Sequence, residues 1–320
     1  MKRAIKKLLL ATSIAVGMGG MFTAPALAGS LINSSIGGSA ADDYYLYKLD
    51  GTNTSFDNNA NLQDVLSGDK VNPGGNVELA ASSEEGEFDF TKNTTLEGQI
   101  GGKDIIFSSL TEDDWNTQNY KGSGKSFGEF WFEEALEANE FEYLLETPSF
   151  AITNPFGVDD LFSAFKSKVG LKRFSDPNIS YVNQDITGKI SIGLAGHYDA
   201  KGIPLLESLL AVAEGFRESD DSSENETPKP KPIPIQVSEV VKVTYNGKTE
   251  FLYSFNADKT GLTDIDDGFS HNGNYEVQIQ GEKPENLKHS RTAKVPEPSV
   301  MLGLLGVAGV FVSKRKVKKA

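Results

Sequence analysis

The segment Gly124-Lys125-Ser126-Phe127-Gly128 has the G-x-S-x-G spacing of a nucleophile elbow. That motif serves serine hydrolases because a buried strand runs into a sharp turn and then a helix, which lifts the serine hydroxyl above the sheet. A helix is expected to follow here, but Asn119-Tyr120-Lys121-Gly122-Ser123 before it is no buried strand. The residues therefore favour Ser126 as a helix N-cap over Ser126 as a nucleophile. The same stretch fails as a phosphate loop, because the glycine required five positions before Gly124 is Asn119.

Other chemistry-bearing residues are sparse. His197, His271 and His289 are the only histidines, and no pair has zinc-ligand spacing. His197 ends an apolar run and reads as a structural histidine; His271 lies in a turn sequence, Ser270-His271-Asn272-Gly273-Asn274. Asp264, Asp266 and Asp267 before Gly268 resemble half of a calcium loop, one residue short and without the distant glutamate. They are weak candidates for calcium, and a solvated acidic turn is the simpler reading. Glu133, Glu134 and Glu137 read as a wet helix face rather than a glycosidase pair, although carboxylates distant in sequence can still meet at the ~5–9 Å such chemistry uses.

The elements that would position these residues are mostly strands. Tyr44–Leu49, Glu87–Thr91, Thr95–Ile100 and Lys103–Phe107 are short apolar or alternating runs between turn residues, the pattern of antiparallel strands. Ile179–Val182, Lys189–Tyr198 and Tyr275–Ile279 read likewise. Val240–Tyr245 and Lys248–Phe255 flank Asn246-Gly247, the preferred type I′ hairpin turn. Helical periodicity appears at Phe127, Phe130, Trp131, Glu134, Ala135 and Ala138. A second helix is expected over Asp159–Val169, with Leu161, Phe162 and Phe165 buried and Gly170 as its stop. A third is expected around Leu205–Ala213. The fold class is thus mainly β, an antiparallel sheet or sandwich with two or three inserted helices; α+β is the alternative.

Both ends carry signals for traffic. Lys2, Arg3, Lys6 and Lys7 precede an apolar run from Leu8 to Phe22, and Ala26-Leu27-Ala28 is a small-x-small cleavage site. This is the pattern of a secretory signal peptide cut after Ala28 by signal peptidase. At the other end Pro296-Glu297-Pro298 precedes an apolar run, Val300–Val312, and a basic end, Lys314–Lys319. Thirteen apolar positions containing Gly303, Gly306 and Gly309 fall short of the ~20 needed to span a bilayer. The basic cluster should stay cytoplasmic, so this short transmembrane segment holds the chain only transiently. The tail resembles the PEP-CTERM sorting signal of exported bacterial proteins, which an exosortase processes.

Composition is consistent with export. There is no cysteine, hence no disulfide and no thiolate metal site. The formal charge is −14, with 31 basic against 45 acidic residues. Loss of residues 1–28, with four basic and no acidic side chains, takes it to −18; loss of the five basic residues after Pro298 takes it to −23. A surface that acidic repels nucleic acid. The organisation read from the sequence is a signal peptide (1–28), a β-rich domain with helical insertions (29–217), a Pro-rich acidic linker (218–235), a small β unit (236–293) that either pairs with the first part or folds alone, and the sorting signal (294–320).

Several stretches of the body carry a further resemblance. Phe174-Ser175-Asp176-Pro177-Asn178 through Asp185, Phe107–Leu110 with Trp115, Gly193–His197 and Phe269–Tyr275, together with the tail, resemble a family of cyanobacterial PEP-CTERM proteins. The resemblance spans most of the mature chain. It implies export and a cell-surface, outer-envelope or extracellular-matrix destination, and it carries no catalytic residue over to this sequence. The functional expectation is a non-enzymatic surface or matrix protein associated with exopolysaccharide. A secreted hydrolase of polysaccharide or ester bonds and a weak calcium-binding adhesion module are the alternatives.

Overall fold

A computed structural model describes residues 27–140, 158–167, 170–200, 234–266, 268 and 270–284. Its described part is mainly β. The larger sheet runs in the order β12 (Asp258–Lys259), β14 (Gly273–Gln280), β9 (Lys189–Gly196), β8 (Asn178–Asp185), β5 (Gly75–Leu79), β3 (Tyr44–Asp50), β4 (Asn53–Phe56) and β13 (Thr263–Asp264). A short β1 (Leu27–Ser30) also pairs with β8. The smaller sheet runs β11 (Lys248–Leu252), β10 (Val241–Tyr245), β7 (Lys103–Ser108), β6 (Thr94–Ile100) and β2 (Ile32–Gly38). Pairing is antiparallel except between β13 and β4.

The two sheets share one core. Val241, Val243 and Tyr245 alternate inward from β10, and Leu96, Ile100, Ile105 and Phe107 come from the hairpin β6–β7. They meet Leu46, Val77, Leu79, Ile179, Ile192, Leu194 and Val277 of the larger sheet. Side chains of this size contribute about 1.5–3 kcal/mol each on burial, which in a chain without disulfides must carry the fold.

The strands after residue 234 are integral to both sheets. β10 pairs with β7 from Lys242↔Ser108 to Tyr245↔Ile105, and β14 pairs with β9 along its whole length. The β10–β11 turn has the sequence-expected geometry, with φ of 49° at Asn246 and 75° at Gly247.

A second, aromatic core joins the helices to the smaller sheet. Helices α1 (Leu62–Val65), α2 (Glu112–Trp115), α3 (Phe127–Ala138), α4 (Val158–Ser167) and α5 (Gly170–Arg173) are short. Trp115 stacks on Phe127, Phe127 stacks on Phe251 at 4.4 Å, and Trp131 meets Trp115 edge-on at 5.3 Å. The Trp115 indole donates to Ser175 Oγ at 2.7 Å, which donates in turn to the Leu171 carbonyl. Lys242 of β10 reaches both carboxylate oxygens of Asp114 at 2.9 Å. Among the described residues no helix is long and apolar enough to cross a membrane.

Three local expectations are corrected. Glu87–Thr91 alternates but is a turn, because Asp89 Oδ1 accepts from the Thr91 amide and hydroxyl and so captures the backbone. Gly170 does not end a helix; it opens α5 and is packed against the Phe165 ring, where a Cβ would come within 2.6 Å. The buried face of α3 is Phe127, Gly128, Trp131 and Phe132, while Phe130 is half-buried and Ala138 exposed. The helix expected at Leu205–Ala213, the Pro-rich linker up to residue 233 and the tail lie outside the described residues.

The outer face of the larger sheet is itself covered, so β8 is buried on both sides. Asn183 donates to the Gly68 carbonyl and Asn274 to the Lys70 carbonyl, pairing sheet polar groups with the loop above them. Ser180 is the extra residue of a bulge opposite Gly193. A Cβ at Gly193 would fall 2.3 Å from the Tyr181 ring, so glycine admits the bulge.

Candidate functional site

Among the described residues one end of that outer face forms a cleft of about 340 Å³. Its floor is Tyr45 and Tyr47 of β3, Glu78 of β5 and Asn178 at the start of β8. Residues of β3 and β5 reach it by alternation: Leu46, Val77 and Leu79 point into the sandwich, so Tyr45, Tyr47 and Glu78 point out. Glu84, Arg173 and Glu239 form one wall, and Asp264, Asp266 and His271 another.

Arg173 organises the charge. Its Nε lies 2.5 Å from Glu84 Oε1, and its Nη1 lies 3.4 Å from Glu239 Oε1 and 3.7 Å from Asp176 Oδ2. Its Nη2 donates to His197 Nε2 at 3.4 Å; a guanidinium only donates, so Nε2 is the acceptor there. Glu239 Oε2 also accepts from the Asn178 backbone amide at 3.0 Å and from Nδ2 at 3.3 Å. Asp176 accepts from the Ser83 hydroxyl. Asp176 Oδ1 and Asn178 Oδ1 are buried with no hydrogen-bond partner among the described residues.

Among the described residues Arg173 is the one guanidinium or ammonium in ion-pair reach of Glu84, Asp176 and Glu239. Burial, with the Asp176 charge nearby, pushes the Glu78 carboxyl up to about 8. Burial pushes Asp176 up to about 7 although Arg173 and Ser83 pull it down. Glu239 is raised well above the usual carboxylate range by burial and then by Asp176. The cluster therefore holds protons at neutral pH, and Glu78 can donate a hydrogen bond there. The Tyr47 hydroxyl, in hydrogen-bonding reach of Glu78, is raised by its own burial first and by that carboxylate second.

The sequence-expected residues divide. His197 sits at the end of its strand as expected, and it lines the cleft. His271 is in a turn but is buried, with φ of 64°; its Nδ1 lies 2.7 Å from Thr54 Oγ1 and its ring meets Tyr47 edge-on at 4.7 Å. Asp264 is buried and its Oδ1 accepts from the Asp266 amide at 2.7 Å, a local turn; its Oδ2 faces His271 Nδ1 at 3.7 Å. Asp266 is exposed, and Asp267 lies outside the described residues. Among the described residues no group of three or more His, Asp or Glu is arranged to hold a metal ion.

Ser126 caps α3 in a capping box: its hydroxyl and amide donate to Glu129 Oε2 at 2.8 and 2.7 Å. The turn before it, Tyr120–Gly122, is a 3₁₀ helix and not a strand. Glu133 pairs with Lys125, and Glu134 accepts from the Tyr253 hydroxyl. Ala28 lies in β1, and a cut after it leaves Gly29 and Ser30 paired with Gln184 and Asn183. Ala26, His289 and Pro296-Glu297-Pro298 lie outside the described residues.

Sequence reading did not single out Glu78, Glu84, Arg173 or Glu239, because their convergence depends on strand order. No family model matches this chain, and the curated proteins and solved structures compared with it likewise yield no match.

Proposed function

We propose that this chain is an exported cell-surface or extracellular-matrix protein that associates with exopolysaccharide through the cleft on its larger sheet. The observation that supports the reading is the combination of an aromatic floor, Tyr45 and Tyr47, with fixed polar groups in a space of small-molecule size. Ring faces suit the C–H face of a sugar, while Arg173, Asn178 and the carboxyls match hydroxyls. Phe56, 49% exposed and 4.8 Å from Tyr45, extends the aromatic surface beyond the cleft. Signal peptidase and an exosortase-like enzyme are its processing partners.

Co-sedimentation of the mature chain with extracellular polysaccharide tests this. The wild type should pellet with the polymer and Tyr45→Ala should be released several-fold more readily. A wild type that stays in solution with every extracellular polymer tried would overturn the reading.

One observation favours a second reading, the secreted glycoside hydrolase. Glu78 is protonated at neutral pH beside other carboxyls, as a general acid must be. Release of reducing ends from the same polymers, abolished in Glu78→Gln, would establish it in place of simple binding.

A further inference from the structure

The charged groups of the cleft are already engaged with one another. Each nitrogen of Arg173 faces a partner: Nε meets Glu84, Nη1 meets Glu239 and Asp176, and Nη2 meets His197. Among the described residues that line the cleft there is no other arginine and no lysine. An anionic ligand would therefore meet carboxyls and no uncommitted guanidinium. The inner carboxyls are engaged as well. Glu239 directs one oxygen to Arg173 and the other to the amide and Nδ2 of Asn178. Asp264 accepts from the Asp266 amide and faces His271. Glu78 is in hydrogen-bonding reach of the Tyr47 hydroxyl, and burial keeps it protonated at neutral pH. Glu84 and Asp266 are exposed, where water screens their charge.

From this we infer that the cleft takes an uncharged glycan, a run of sugars bearing only hydroxyl groups, and discriminates against uronic-acid and amino-sugar polymers. The feature that points to a sugar ring is the aromatic floor. Tyr45 and Tyr47 have ring centroids 6.4 Å apart with their planes at 79°, and Phe56 continues the surface 4.8 Å from Tyr45. Such rings pack on the C–H face of a pyranose by dispersion and apolar burial, which needs no charge on the ligand. A hydroxyl both donates and accepts, so it can join groups of either kind along the walls. A charged sugar would give up hydration on entering and find its counter-charges already paired, which costs affinity. The inference rests on the exopolysaccharide reading of this cleft and narrows its ligand.

The test titrates the mature chain with three β-1,4-linked oligosaccharides of one length: glucose, glucosamine and glucuronic acid oligomers. The glucose oligomer should bind at least about tenfold tighter than either charged one. Its affinity should change less than about twofold between about 0.05 and 0.5 M salt, because no ion pair is there to be screened. Tyr45→Ala and the exposed-site variant Phe56→Ala, each checked for a native circular-dichroism spectrum, should each weaken it several-fold. Preference for a charged oligomer, equal affinity for the three, or no binding by any overturns the inference. So does glucose-oligomer binding that neither variant changes. Co-sedimentation with extracellular polysaccharide, run in parallel, separates the two claims. A pelleted protein that does not select the glucose oligomer sinks the uncharged-ligand site alone. A protein that selects the glucose oligomer yet stays in solution with every extracellular polymer sinks the matrix reading alone.

Discussion

Lowering the pH from about 7.5 to about 5.5 should make this protein more stable. Glu78 has an ordinary value of 4.5 and a folded value of about 8. Asp176 goes from 3.8 to about 7. Between those limits the folded chain holds protons that the unfolded chain has lost. Stability from a raised carboxyl is fully present below its unfolded value and drains away as pH rises through its folded value. Each proton so held is worth about 1.4 kcal/mol per pH unit. Protonating one member relieves its neighbour, so the cluster takes up between one and two protons together. The expected slope is therefore about −1.4 to −2.7 kcal/mol per pH unit across this window. Urea unfolding at several pH values, followed by tryptophan fluorescence from the buried Trp115 and Trp131, would measure it. The acidic surface adds a slope of the same sign, so Glu78→Gln is the control. That variant should lose about one proton's worth of slope and gain on the wild type as pH rises. A flat or rising wild-type profile, or an unchanged slope in Glu78→Gln, would refute the account of the cluster.

Three further outcomes are expected. Trp115→Ala should cost about 3–5 kcal/mol in chemical unfolding, since it empties the joint between α2, α3 and β11. Ser126→Ala should cost about 1 kcal/mol through the lost cap and leave any polymer-degrading activity untouched; loss of activity at unchanged stability would restore Ser126 as a nucleophile. Intact mass of the native protein should begin at Gly29 and end near Pro298, with or without an added anchor group, whereas a membrane-bound chain retaining Lys314–Ala320 would sink the sorting signal.

Much of the strand inventory was legible in the residues because it rests on local signals. The Asn246-Gly247 and Gly101-Gly102 turns set the hairpins β10–β11 and β6–β7, since positive φ at these positions suits the strand twist. The face of α3 was read less well: period alone included Ala138 and omitted Phe132, because burial depends on what packs against the helix. The strands β2 and β5 were not singled out. Glu87–Thr91 shows the converse, an alternating run whose backbone bonds Asp89 instead of a neighbouring strand.

The chain by itself determined the mainly β class, the two hairpins and the helix cap at Ser126, all of which depend on residues near in sequence. Only the tertiary structure decided that segments carrying Tyr45, Glu78, Arg173, Glu239 and His271 share one cleft. Strand order brings β3, β5 and β8 side by side, and pairing between distant strands is decided by burial over the whole sandwich. The unusual protonation of Glu78 and Asp176 belongs to the same level, because it arises from desolvation and from neighbours that the unfolded chain does not possess.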